Sequence, residues 1–281
     1  MNSADIASHY RNYKMFVVTR VKAWKPKIHA DLKTMIRNAT DEPTIQRAIA
    51  RLDENMLRPS GIAITIRDIY VDAGRIWGGR VYQVVRKEAA GIRQEARGKE
   101  NKAMMPIGRN EQMIAEIVAY LRLHNLSMAS EITDTMKEWI LSRLIEAQQT
   151  GASIQDVTDS MLVDDFPANR AIVIARTETI KAANYGAVQG AKMTGFQTEK
   201  LWIAARDNRT RRIPRDNYSH AAMDGKTVAM DQPFLVPMLH GGFDEVMQPG
   251  DPKADAGDVI QCRCCVGFNV IRDARGLPVK A

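Results

Sequence analysis

The stretch GAVQGAKMTGFQTEKLWI, residues 186–203, holds the change of period that decides the fold. Up to Thr194 it continues a helix that starts at Pro167, just after Asp165. Proline at a first-turn position gives up no N–H that the helix needs. One side of this helix carries Ala183, Gly186, Ala187, Gly190 and Ala191, small residues that let another backbone come close. Gly195 stops it, and Leu201-Trp202-Ile203 reads as a short strand. Beyond that point prolines recur at 214, 233, 237, 249 and 252, with turn signals at Asp207-Asn208 and Asp224-Gly225. The reading is an α+β chain: a mainly helical amino-terminal two-thirds and a small strand-containing carboxyl-terminal module.

Upstream, the spacing is helical. Behind the cap candidate Thr44, Ile45, Ala48, Ile49, Leu52, Met56 and Leu57 form one apolar series, stopped by Arg58-Pro59-Ser60-Gly61. A second helical stretch runs from about Ile64 to Gly98, and its glycines 74, 78 and 79 predict a bend or break near Gly78. ARGKENKAMMPIGRN, between Glu95 and Asn110, shows no period and reads as a loop or hinge. Met113, Ile117, Tyr120 and Leu121 mark one helix; Ile132, Met136, Ile140 and Leu144 mark another, ending at Gly151. Ser153 with Asp156 three residues on has the form of a capping box. Downstream, VIQCRCCVGFNVI at 259–271 reads as the last strand, with Ile260, Cys262, Cys264, Val266, Phe268 and Val270 on one face.

Composition bounds the function. With 281 residues, 45% of them apolar and 26% charged, the chain is long enough to bury a sizeable core. It has no apolar secretory leader and no run of about 18 apolar residues of the kind that spans a membrane. Three cysteines within four positions, Cys262, Cys264 and Cys265, make no disulfide framework and suit a reducing cytosol. Residues 1–150 hold 24 Lys+Arg against 17 Asp+Glu, so the whole net charge of +7 lies there. That excess suits either solvated helix faces or contact with nucleic acid or an acidic protein.

The carboxyl-terminal motifs are more specific together than singly. Arg176-Thr177-Glu178 is followed by Asn184, Leu201-Trp202, Asp207 with Arg209-Thr210-Arg211, His220, Met223-Asp224-Gly225, Phe234, Pro249 and Gln261-Cys262-Arg263-Cys264. This ordered set, over about residues 130–270, resembles the Mu F-like domain of phage head-morphogenesis proteins. Two departures stand out: Ile213–Ser219 separates the Asp-Arg-Thr-Arg turn from His220, and Gln261 stands where the family commonly has asparagine. Charge and helical spacing upstream, with this resemblance downstream, divide the chain into a basic helical region, 1–125, and a Mu F-like domain, 126–281, helical to 195 and strand-containing beyond. The resemblance implies a minor structural protein of a tailed-phage head. Such a protein acts in procapsid assembly in the host cytoplasm, resides in the virion, and has portal, capsid or scaffolding proteins, or packaged DNA, as partners.

Within that frame no catalytic residue is assigned. Arg176 and Glu178, two apart on a helix, do not face each other and are expected to clamp the following strands. Trp202 is expected in the core; Asp207, Arg209 and Arg211 in a turn network; Asp224-Gly225 at a turn. Cys262 and Cys264 with His220 and His240 offer thiolates and imidazoles for zinc, but packed thiols on an apolar strand face explain the cysteines too. The competing function is a nuclease or an ADP-ribosyltransferase-like effector, against which the chain lacks a Glu-x-Glu pair, a Gly-x-Ser-x-Gly elbow and a P-loop. The amino-terminal helices, with Trp24, Trp77 and Trp139 as candidate anchors, are the expected docking part.

Overall fold

A computed structural model describes residues 3–56, 61–91 and 106–281. The stop predicted at Arg58-Pro59-Ser60 and the loop predicted after Glu95, as far as Met105, lie outside them. In chain order the helices are α1 (Ser3–Thr40), α2 (Ile45–Ala50), α3 (Leu52–Met56), α4 (Ile62–Ile69), α5 (Arg75–Ala89), α6 (Ile107–Thr150), α7 (Ile154–Val163) and α8 (Asp165–Lys192). Then come β1 (Thr198–Ile203), β2 (Thr227–Ala229), β3 (Phe234–Pro237), β4 (Phe243–Val246), the short α9 (Ala256–Val259) and β5 (Cys265–Val270). The predicted α+β division at Gly195 is the observed one. The described parts of Met1–Arg20, Ile69–Tyr120 and Arg176–Ala281 form one compact unit, and those of Val21–Asp68 and Leu121–Ala175 another.

The all-helical unit follows its apolar spacing. Ile132, Met136, Ile140 and Leu144 are all buried on α6, and Ile28, Leu32, Met35 and Ile36 on α1. Thr44 caps α2 by accepting the Arg47 N–H at 3.3 Å, but the series expected as one helix breaks at Arg51 into α2 and α3. The two helices expected between Met113 and Leu144 are one. No glycine or proline lies between Gly108 and Gly151, and buried Met128 keeps the spacing of four with Ile132. Ser153 and Asp156 form the predicted capping box, Ser153 Oγ accepting the Asp156 N–H at 3.1 Å.

In the mixed unit the helix expected to bend or break near Gly78 is unbroken there. The irregularity lies earlier, in a π-helical turn over Tyr70–Gly74, and Gly78 sits inside regular α5. Its lack of a side chain serves packing instead. A methyl group added at Gly186 would run into the Gly74 carbonyl oxygen, one at Gly190 into that of Gly78, and one at Gly78 into that of Gly186. The small-residue side of α8 thus receives the backbone of this helical stretch, as its composition predicts. Trp77 is buried among His9, Tyr13 and Phe16, with ring centroids 5.2–5.4 Å away, so it is a core residue and not an interface anchor.

Strands β2, β1 and β5 form an antiparallel sheet in that order, with Trp202 opposite Val266 and Ile203 opposite Cys265. Strands β3 and β4 pair separately around a loop in which Gly241 and Gly242 take φ of 89° and 82°, open to residues without a Cβ. The strand expected over 259–271 starts only at Cys265. Its upstream half is the α9 turn followed by Gln261 at φ 58°, which breaks the alternation. Strand β5 is buried on both faces except at Asn269, because α5 and α8 lie in the same unit and Glu88 Oε1 accepts the Val270 N–H at 3.3 Å.

Candidate functional site

Most of the predicted motif residues converge on the segment that leads into β5. Arg176 Nη1 donates to Gln261 Oε1 at 3.1 Å, and Thr177 Oγ1 accepts the Gln261 N–H at 3.1 Å. Together they hold Gln261 in its left-handed conformation, which costs a non-glycine residue about 1 kcal/mol or more. Glu178 turns the other way and pairs with Lys181 at 3.1 Å, both side chains about 5% exposed. Burial, with Arg209 and Arg263 nearby, shifts the Arg176 pKa down.

One turn further along α8, Asn184 is fully buried and all its side-chain polar atoms are engaged. Nδ2 donates to the Pro249 carbonyl at 2.8 Å and the Cys264 carbonyl at 3.2 Å; Oδ1 accepts the Val266 N–H at 3.1 Å. Tyr13 Oη donates to the same Cys264 carbonyl at 3.4 Å. An unpaired buried amide partner costs about 1–3 kcal/mol, so this one side chain fixes the start of β5.

Asp207 and Arg263 form a two-pronged ion pair, Arg263 Nη2 donating to Oδ1 at 2.7 Å. The Arg263 hydrogen bonds hold the Asp207 pKa at about 2. Asp207 Oδ1 also accepts the Arg209 N–H at 3.0 Å, and Arg211 Nη2 donates to the Ile260 carbonyl at 2.6 Å. The Arg209 side chain is exposed. Asp224 accepts the Ala204 N–H at 3.0 Å and pairs with Arg206 at 2.6 Å, while Gly225, at φ 80°, closes the turn into β2. In the interposed Ile213–Ser219 segment, Arg215 Nη2 donates to the Thr210 carbonyl at 2.8 Å and Asp216 accepts the Arg212 N–H at 2.9 Å, tying it to the Asp207 turn.

Behind this frame lies a buried cluster. His220 Nδ1 is 3.6 Å from Cys262 Sγ and 3.5 Å from Cys264 Sγ, and its Nε2 meets Asp258 Oδ1. Trp202 crosses the imidazole edge-on at 5.4 Å and Phe234 at 5.2 Å. The hydrogen bond from Cys264, with His220, lowers the Cys262 pKa; burial raises those of Cys264 and Cys265. Burial opposes a charge on His220, but Cys262 and Asp258 outweigh it and raise its pKa to about 9. Among the described residues, His220, Cys262 and Cys264 alone form a group able to share a metal ion, their ligand atoms within 4.8 Å of one another. His240, the fourth ligand expected from the sequence, is exposed and outside the group, since it sits in the loop between β3 and β4.

Sequence reasoning passes over Asp258 and Lys200 and assigns no role to Asn184. Asp258 follows a glycine in a polar run that reads as surface. Asn184 enters the sequence reading only as a member of the ordered motif set. Lys200 is fully buried on β1; Nζ donates to the carbonyls of Gln232 at 2.7 Å and Met247 at 2.8 Å, and burial lowers its pKa to about 8.

Comparison with known proteins bears on the same region. A family model described as Phage Mu protein F like protein matches residues 138–267. No curated protein matches the chain, and no solved structure does.

Proposed function

We propose, from the match of residues 138–267 to the family model described as Phage Mu protein F like protein, that the chain is a minor structural protein of a tailed-phage head. It acts in procapsid assembly in the host cytoplasm, associates with the portal or the inner capsid, and is retained in the virion. The observation that carries a structural role over an enzymatic one is the use of the motif residues. Arg176, Thr177, Asp207, Arg211, Asp224 and Arg263 all bind atoms of their own chain around Gln261 and β1. Among the described residues, the buried constellation with nucleophile, base and carboxylate, Cys262, His220 and Asp258, is 2–3% exposed, which leaves a substrate no approach. No helix among the described residues is long and apolar enough to cross a membrane.

Affinity capture with the tagged full-length chain from infected cells tests the assignment. The expected result is recovery of portal, capsid or scaffolding protein. Turnover of DNA, RNA or a nicotinamide dinucleotide by the folded protein, abolished by His220→Ala, would instead restore the effector reading.

A further inference from the structure

We infer that His220, Cys262 and Cys264 form a zinc site, with the imidazole bound through Nδ1 and held from behind by Asp258 through Nε2. Zinc–nitrogen bonds of about 2.0–2.1 Å and zinc–sulfur bonds of about 2.3 Å, at the tetrahedral angle, set nitrogen and sulfur about 3.5–3.6 Å apart. The two distances from Nδ1 are 3.6 and 3.5 Å. A lone imidazole nitrogen makes one hydrogen bond, yet it faces two sulfurs equally, which is the arrangement of ligands around a shared cation.

The surroundings gather the two sulfurs about one imidazole nitrogen. The Cys264 N–H points at Cys262 Sγ, 3.5 Å away, so the short Cys-x-Cys turn aims both sulfurs to one side. The Trp202 indole Nε1 is buried in the same cluster with no hydrogen-bond partner. A carboxylate behind a ligating imidazole fixes its orientation and strengthens it as a donor, which is the place Asp258 takes. Two thiolates and a neutral imidazole balance the charge of one divalent ion in a buried setting, and their softness selects zinc over magnesium or calcium. Any protons on these atoms leave to solvent when the ion binds. The described residues supply three protein ligands here, His220, Cys262 and Cys264, all buried. Arg176 and Thr177, by holding Gln261 in its left-handed conformation, act as positioning residues for the cysteine that follows.

Elemental analysis of the full-length chain, expressed with zinc and purified without chelator, tests this independently of any role in a phage head. The expected content is about one zinc per chain, falling below about a tenth of that in His220→Ala and Cys264→Ala and unchanged in His240→Ala and Cys265→Ala. Cobalt(II) added to the wild-type protein is expected to give a thiolate-to-metal charge-transfer band, a readout that does not depend on the variants folding. Folded wild-type protein that retains less than about a tenth of an equivalent of zinc after loading and dialysis, and shows no such band, would overturn the assignment. So would equal zinc in wild type and a folded His220→Ala.

Discussion

An asparagine in the middle of a helix is ordinarily a weak choice, because its side chain competes for backbone hydrogen bonds. Asn184 has the opposite value here, since it bonds the backbone at Pro249, Cys264 and Val266. Asn184→Ala is therefore expected to cost more than about 2 kcal/mol, read as a fall in the urea midpoint; a loss under about 0.5 kcal/mol would mean water replaces it. His9 gives a pH signature. Burial lowers its pKa from 6.5 to about 4, although its ring nitrogen bonds the Val266 carbonyl at 3.2 Å. Between those values the unfolded chain binds the extra proton, so stability is full above about pH 6.5 and declines as pH falls toward 4. His9→Gln should flatten that decline. Identical slopes for wild type and variant over this window would show that His9 does not govern it. Neither residue's role is legible in the sequence, because each depends on partners 65 to 257 positions away.

Between helices, the glycines decide which of two opposed effects wins. Alanine gains about 1 kcal/mol over glycine in a helix interior, whereas forcing a methyl into a closed contact costs about 1–3 kcal/mol or more. Gly79 has open space where its Cβ would be; Gly186 and Gly190 have the carbonyl oxygens of Gly74 and Gly78. Gly79→Ala should raise the melting temperature and Gly186→Ala should lower it, and the same sign for both would refute the packing account. The Glu178–Lys181 pair is a second element-level test. Lys181→Met strands a buried carboxylate and should cost about 3–5 kcal/mol, while adding Glu178→Leu should recover much of the loss. The sequence shows the small-residue side of α8, the capping box at Ser153 and the change of period at Gly195, because each is written in neighbouring residues. It hides the continuity of α6, where His124 and Asn125 interrupt the apolar spacing between Leu121 and Met128 while nothing breaks the helix. It also hides the α9 turn ahead of Cys262, where alternating apolar residues mimic a strand.

At the scale of the whole molecule, docking on a phage head has to survive cytosolic salt, so it cannot rest on screened surface charge alone. On the proposed head-protein reading, the stretch Arg11–Val18 of α1 is the candidate docking surface, because it offers both kinds of group, charged and apolar. Arg11 and Lys14 are exposed, and on the same helix side Met15 and Val18 are 65% and 47% exposed, large apolar side chains left facing solvent. Of the tryptophans expected as anchors, Trp77 belongs to the core, and half-buried Trp139 stacks on Phe166 at 4.7 Å. Removing the amino-terminal helices is not a clean test, because Tyr13 and Trp77 are buried in the unit that carries Asn184 and the β-sheet. Paired surface substitutions in the full chain are. Met15→Glu with Val18→Glu changes two solvent-facing positions and should leave the melting temperature within a few degrees, since surface changes typically shift stability by about 0.5 kcal/mol or less. Cosedimentation with purified portal-bearing proheads should then fall at least about tenfold, the equivalent of about 1.4 kcal/mol of binding energy. Reversing Arg11 and Lys14 to glutamate should weaken association mainly at low salt. If the apolar pair variant cosediments as well as wild type, docking belongs to residues 138–267 and the role assigned to α1 fails.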